Sequence, residues 1–193
     1  MKKNQLYVLT LLFAIISLGL NSCSKEKSFS SGGSGGTGGT GGGGGTGGSG
    51  TYFMKFKLDG VQKEFSGTTS ALITSFDAGG TIIHTGAFQG IQSASNTTAN
   101  LMGINVNDVT ALVTNKNYTD ALVGITVQGV LLYFDASGDQ LSSMFVTTDA
   151  NVIIRLSEIT TTSVSGTFSG KLASLTSGAS ATVTEGSFRV KRL

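Results

Sequence analysis

Residues Tyr52–Phe65, YFMKFKLDGVQKEF, alternate apolar and polar side chains on both sides of Asp59-Gly60. A period of two is that of a β-strand, whose successive side chains point to opposite faces. Asp-Gly supplies the two positive φ angles that a two-residue hairpin turn demands. The register this turn sets pairs Leu58 with Val61, Phe56 with Lys63 and Met54 with Phe65. On the other face Lys57 meets Gln62 and Lys55 meets Glu64. One face is mostly apolar and the other polar, as a half-buried antiparallel pair requires. Lys63 opposite Phe56 breaks the pattern, which suits a strand at the edge of a sheet.

The same period recurs through the rest of residues 51–193. Strands are expected near 71–76, 81–88, 101–106, 121–127, 130–134, 143–147, 152–159, 164–173, 179–184 and 187–191, most of them separated by glycine and Asx turns. The stretch 114–122, TNKNYTDAL, is the least regular and has room for a helical turn. No 3.6-residue period runs for three turns in this region. Many short strands with frequent turns give an all-β antiparallel fold, a two-sheet β-sandwich by preference and a barrel as the second choice. Residues 51–193 are enough for one core.

What precedes them cannot build a core. Fourteen of the 19 residues from Gly32 to Gly50 are glycine and the rest serine or threonine. Such a chain has nothing to bury and loses much entropy on ordering. Residues 23–50 therefore read as a disordered tether with a random-coil reach of roughly 25–30 Å. A phosphate-binding loop would need a strand before the glycines and Gly-Lys-Ser/Thr after them, and neither is present. At the start, Met1–Gln5 carries two lysines and Leu6–Leu20 is an uncharged apolar run. That length suits a secretory signal, about 7–15 apolar residues, and falls short of the roughly 20 a membrane span needs. Residues 1–22 are read as a signal peptide.

Cys23 is the only cysteine. An exported chain with one thiol cannot close an internal disulfide, so the residue calls for another explanation. Leu20-Asn21-Ser22-Cys23 resembles the lipobox of bacterial lipoproteins: an aliphatic residue, two mostly small residues, then cysteine, with Asn21 the one departure. The resemblance implies a diacylglyceryl group on the Cys23 thiol, cleavage just before it and acylation of the new amino terminus. Two or three acyl chains, at about 0.8 kcal/mol per buried methylene, hold a protein durably to a membrane. Ser24–Ser28 loosely resembles the charged stretch that follows this cysteine in surface-exposed lipoproteins of Bacteroidota. Those stretches are richer in acids, so an outer-membrane anchor facing either the periplasm or the cell surface is expected.

Removing Lys2 and Lys3 with the signal takes 13 basic residues to 11, against 11 acidic ones. No basic stripe remains to hold nucleic acid. His84 is the only histidine, on the same strand face as Ile82. A serine triad would need it, but no Gly-x-Ser-x-Gly elbow is present. A zinc site needs several His or Cys ligands. Asp135 and Asp139, in DASGD, are the weak candidates for a metal site, since calcium favours loops rich in oxygen ligands; the same residues are ordinary turn formers. No cofactor is expected. Glycan binding leans on aromatic platforms, and the chain has no tryptophan and, after the signal, only Tyr52, Tyr118 and Tyr133.

The last third has a further resemblance. Ile154, Leu156 and Ile159, then Val164-Ser165-Gly166-Thr167-Phe168, then Gly186-Ser187-Phe188 are similar to the closing strands of a family of uncharacterised Bacteroidota lipoproteins. That resemblance implies a β-sandwich on a lipid tether and transfers no catalytic residue. The expected function is a non-enzymatic envelope lipoprotein whose domain is a structural or protein-interaction module, with an envelope protein as partner. A ligand-binding module, with glycan as one candidate ligand, acting through loops at one end of the sandwich is the alternative; a hydrolase using scattered carboxylates is the least favoured.

Overall fold

The structure, a computed structural model, describes residues 52–66, 68–92 and 100–193. The signal segment, Cys23 and the glycine tract lie outside these residues. Thr51–Leu193 forms one compact unit.

The expected all-β antiparallel fold is what forms. Its strands are β1 (Phe53–Leu58), β2 (Val61–Phe65), β3 (Thr68–Asp77), β4 (Ile82–Ile91), β5 (Leu101–Asp108), β6 (Asn117–Thr119), β7 (Leu122–Val123), β8 (Thr126–Val127), β9 (Gly129–Phe134), β10 (Gln140–Ser142), β11 (Ile153–Ile159), β12 (Ser163–Ser174) and β13 (Ser180–Lys191). The main path runs β2-β1-β13-β12-β10-β9-β5-β4-β3. Strand twist curls this single sheet into a half-barrel, so one sheet supplies both facing layers of the core. The β3 end comes back to the chain just past β13, where Ala71 pairs in parallel with Arg192. β12 is the branch point. One edge pairs with β13 along its length, while the other takes β11 first and β10 at its end. β6 adds to the free side of β11.

The first hairpin has the register its alternation sets, from Leu58↔Val61 to Met54↔Phe65. Asp59 and Gly60 both have positive φ, 49° and 81°. The turn is tied to β13: the Asp59 amide donates to the Thr182 carbonyl at 2.9 Å, and Asp59 Oδ1 accepts the Thr182 amide at 2.8 Å. β2 is the edge strand that Lys63 suggested.

Four expectations about elements are corrected. Residues 121–127 are not one strand. They form the small β7–β8 hairpin, turning at Gly124 (φ 58°), because this segment folds back over the outer face of β4 and β5. There Asn107 Nδ2 donates to the Val127 carbonyl at 2.8 Å, and Gly124 packs near Ile83. Residues 143–147 are not a strand either. The strand is β10, and a 3-10 turn follows at Ser143–Phe145. Ser142 Oγ accepts the Met144 amide and Ser143 Oγ accepts the Leu131 amide, so serine side chains replace the ladder. Residues 114–122 hold β6 rather than a helical turn. The segments 179–184 and 187–191 are one strand, β13, with an irregularity around Glu185 (φ 52°).

The core gathers Phe56, Phe65, Phe88, Phe168 and Phe188 with Tyr118, Tyr133 and aliphatic residues from nearly every strand. Phe88 stacks on Phe188 at 5.3 Å, and Phe56 meets Phe65 edge-on at 5.6 Å. These are the offset and T-shaped geometries that aromatic quadrupoles favour.

Candidate functional site

The inner face of β3, β4 and β5 is arranged in rows across the strands. One row is Ala71, Phe88 and Ile104; the next is Ile73, Gly86 and Val106; the last, at the mouth of the half-barrel, is Ser75, His84 and Asp108. The rows pass from apolar to polar as the sheet leaves its core. A serine, the single histidine and an acid thus share one register line.

Their hydrogen bonds are not those of a nucleophile relay. Ser75 Oγ and His84 Nδ1 are 2.8 Å apart. Asp108 turns away from the imidazole. Its Oδ1 accepts the amide and hydroxyl of Thr110, each at 3.2 Å, and its Oδ2 is paired with the Lys116 ammonium. In a triad the acid holds the imidazole in place; here it holds a loop.

That loop, residues 109–116, closes the mouth. Leu112 packs beside Gly86, filling the space a side chain would take there. Tyr118, fully buried, clamps Val113 by both backbone groups: its hydroxyl donates to the carbonyl at 2.9 Å and accepts the amide at 2.8 Å. The Asn115 amide donates to the Leu156 carbonyl, and Arg155 Nη2 donates to Asn115 Oδ1 at 3.2 Å. Lys116 also lies over the Tyr118 ring, 5.4 Å from its centroid, a favourable place for a cation.

The electrostatics follow from this packing. Burial pushes the Asp108 carboxyl up, but the bonds from Lys116 and Thr110 and the Lys116 charge outweigh it and hold the group below the ordinary carboxylate range. Burial pushes the Tyr118 hydroxyl up, beyond what its Val113 bond takes back. Because the folded pKa of Asp108 is depressed, its contribution to stability is present above the unfolded value, about 3.9, and is lost as pH falls through the folded value. Lys116→Met strands a carboxylate whose side chain is 3% exposed. The expected cost at pH 7 is about 2 kcal/mol, below the 3–5 of a fully buried pair because the ammonium is 37% exposed. It should shrink toward pH 4, where protonation relieves the stranded charge; denaturant melts at both pH values measure the difference.

Asp135 and Asp139 sit in the β9–β10 turn. Asp135 Oδ1 accepts the Ser137 hydroxyl and the amides of Ser137 and Asp139, closing an Asx turn with Gly138 at φ 85°. The Ser137 hydroxyl, chief among these bonds, draws the carboxyl below its ordinary range. Asp139 points to the β12–β13 turn, taking the hydroxyls of Ser174 at 2.8 Å and Ser177 at 2.5 Å. Asp135 thus closes its own turn, and Asp139 ties that turn to the next. Among the described residues no group of three or more His, Cys, Asp or Glu side chains is placed to hold a metal ion.

Sequence reasoning missed Asp108 and Lys116. The available signal was Asp108-x-Thr110 at the end of an apolar strand, an Asx-type turn start. Nothing local marks Lys116 as its partner. Tyr118 and Tyr133 are both buried, so neither offers a face for a sugar to stack on.

No protein-family model, no curated protein and no solved structure matches this chain.

Proposed function

We propose that this chain is a cell-envelope lipoprotein, anchored to the outer membrane through lipid on Cys23, whose half-barrel is a non-enzymatic structural or protein-interaction module. The observation that carries the reading is the position of the single cysteine. It directly follows Leu20-Asn21-Ser22, at the end of the apolar run Leu6–Leu20 and ahead of a glycine tether. Kinship with the Bacteroidota lipoproteins that the closing strands resemble belongs to the same proposal. The polar groups of the domain support a module without catalysis: Asp108, Asp135 and Asp139 each hold a loop or turn. Among the described residues no helix is long and apolar enough to cross a membrane. Glycan binding draws less support, since Tyr118 and Tyr133 are committed to the core.

Metabolic labelling with an alkyne fatty acid, followed by mass spectrometry of the mature amino terminus, tests the anchor. The expected result is label on Cys23 as the first residue, abolished by Cys23→Ala with the signal left uncut. A mature chain starting elsewhere with a free thiol overturns the reading.

A further inference from the structure

Two strands end the main path of the sheet, and they are built differently. β2 carries devices that discourage pairing with another chain: it has only five residues, bears Lys63 and Glu64, and sets Lys63 on the apolar face opposite Phe56. β3 has none of these. It runs for ten residues, TTSALITSFD, with no proline, no bulge against β4 and no charge before Asp77. Leu72 is 38% exposed, and Thr74 and Ser75 are exposed beside it.

The direction of its backbone groups follows from two bonds. At the β3–β4 turn the Ala78 amide donates to the Thr81 carbonyl at 2.8 Å. Bonded pairs alternate along an antiparallel ladder, so the even-numbered residues of β3 turn toward β4. The odd-numbered residues turn outward, and on that side the Ala71 carbonyl accepts the Leu193 amide at 2.9 Å. This edge therefore already takes one strand-type bond from an extended segment. Among the described residues no strand lies beside Ile73, Ser75 and Asp77.

We propose that this free edge pairs with the same edge of a second copy of the chain, antiparallel about a two-fold axis centred on Ser75. A strand without charge along most of its length can face itself, and the two-fold closes the assembly. The centre follows from the neighbours. An axis at Ile73 would need the Ala71 carbonyl, which Leu193 occupies; an axis at Asp77 would run the strands into the Gly79-Gly80 turn. Centred on Ser75, Ile73 faces Asp77 of the second copy and Thr74 faces its Phe76. That gives a β-branched–aromatic pair and opposes no like charges. The inference deepens the interaction-module reading and rests on it for its use in the envelope, where anchored copies would meet at raised local concentration. The edge itself does not depend on the anchor.

Cysteine trapping tests the pairing on the full chain extracted from membranes in detergent. Bonded antiparallel partners have Cα atoms about 5.5 Å apart, within reach of a disulfide. Ser75→Cys should convert to a covalent dimer on mild oxidation, while Thr176→Cys, on the exposed β12–β13 turn, stays monomeric; the unsubstituted chain reports any background from Cys23. Ser75→Lys, which sets two ammonium groups face to face, should abolish the dimer in sedimentation while leaving the melting curve in place. Should that variant not fold, the trapping decides. Equal crosslinking at positions 75 and 176, an unsubstituted chain that sediments as a monomer, or a dimer that survives Ser75→Lys overturns the proposal. A monomer still lipid-labelled on Cys23 would remove the dimer and leave the anchor standing.

Discussion

A chain lacking residues 186–193 is expected not to fold. The deletion takes Phe188 and Val190, both buried, out of the core. Each is worth roughly 1.5–3 kcal/mol of burial, and the hole left behind adds to the loss. The larger effect comes from position. β13 lies between β1 and β12, so its last six residues carry ladder pairings on both sides: Phe53 to Lys55 on one edge and Ser163 to Phe168 on the other. Without them the first hairpin is no longer held to the sheet at that end, and the parallel bridge that joins β3 to the chain beyond β13 is gone. Against a typical stability of 5–15 kcal/mol, the sum leaves little or nothing. A thermal melt followed by circular dichroism should show no cooperative transition. The matching cut at the other end, a chain beginning at Thr51, should melt within about a degree or two of the longer one, since a glycine tract has no side chains to bury. A cooperative melt after the C-terminal cut would show that β13 is not central.

Gly186→Ala is expected to cost about 3 kcal/mol, at the upper end for overpacking, although it adds one methyl group. Two glycines and two phenylalanines change places across the β12–β13 ladder: Gly166 faces Phe188, and Phe168 faces Gly186. Each ring lies over the glycine opposite, which leaves no room for a Cβ. At position 186 a Cβ would overlap the carbonyl oxygen of Phe168 and come within 2.7 Å of its ring. At position 166 it would lie 2.5 Å from the Arg155 carbonyl oxygen and 2.8 Å from the Phe188 ring. Backbone oxygens inside a sheet cannot step aside as a flexible side chain does, so the strain reaches the ladder. Gly103→Ala is the control. Its nearest neighbour would be at 3.6 Å, ordinary contact, and its effect should be small. Chemical denaturation of the two variants measures the contrast; equal midpoints for Gly186→Ala and Gly103→Ala would show that the rings do not lie over the glycines.

This exchange also gives the closing motifs their physical sense. Val164-x-Gly166-x-Phe168 and Gly186-x-Phe188 read along the chain as two separate strand fragments. Across the ladder they are one packing unit, in which Phe168 and Phe188 meet at 6.2 Å and Phe188 goes on to stack against Phe88. The sequence shows the residue types and their spacing, but not that each glycine serves the ring on the other strand.

The same division runs through the molecule. The first hairpin was legible in full, because its turn, register and faces depend on fourteen consecutive residues and on the φ preferences of Asp59-Gly60. Lys63 marked β2 as an edge for a similarly local reason: a charge on the apolar face has to reach water. The all-β class was legible from the period of two. The β7–β8 excursion, the 3-10 turn after Ser142 and the continuity of β13 were not. In each, contacts with distant residues override the local pattern: Asn107 with Val127, Leu131 with Ser143, β13 with both its neighbours. The mouth of the half-barrel follows the same rule. Ser75, His84 and Asp108 are 33 residues apart from first to last and come into line only through the registers of β3, β4 and β5, which fix the distance between them but carry no local mark. What the sequence determined by itself is the alternation, the turns and the placement of Cys23 after its apolar run, all of which act over a few residues. The curl of one sheet into two layers, the branching at β12 and the pairing of Asp108 with Lys116 were decided by tertiary structure, because strand order is set by which apolar faces can be buried together, and that is a property of the whole chain.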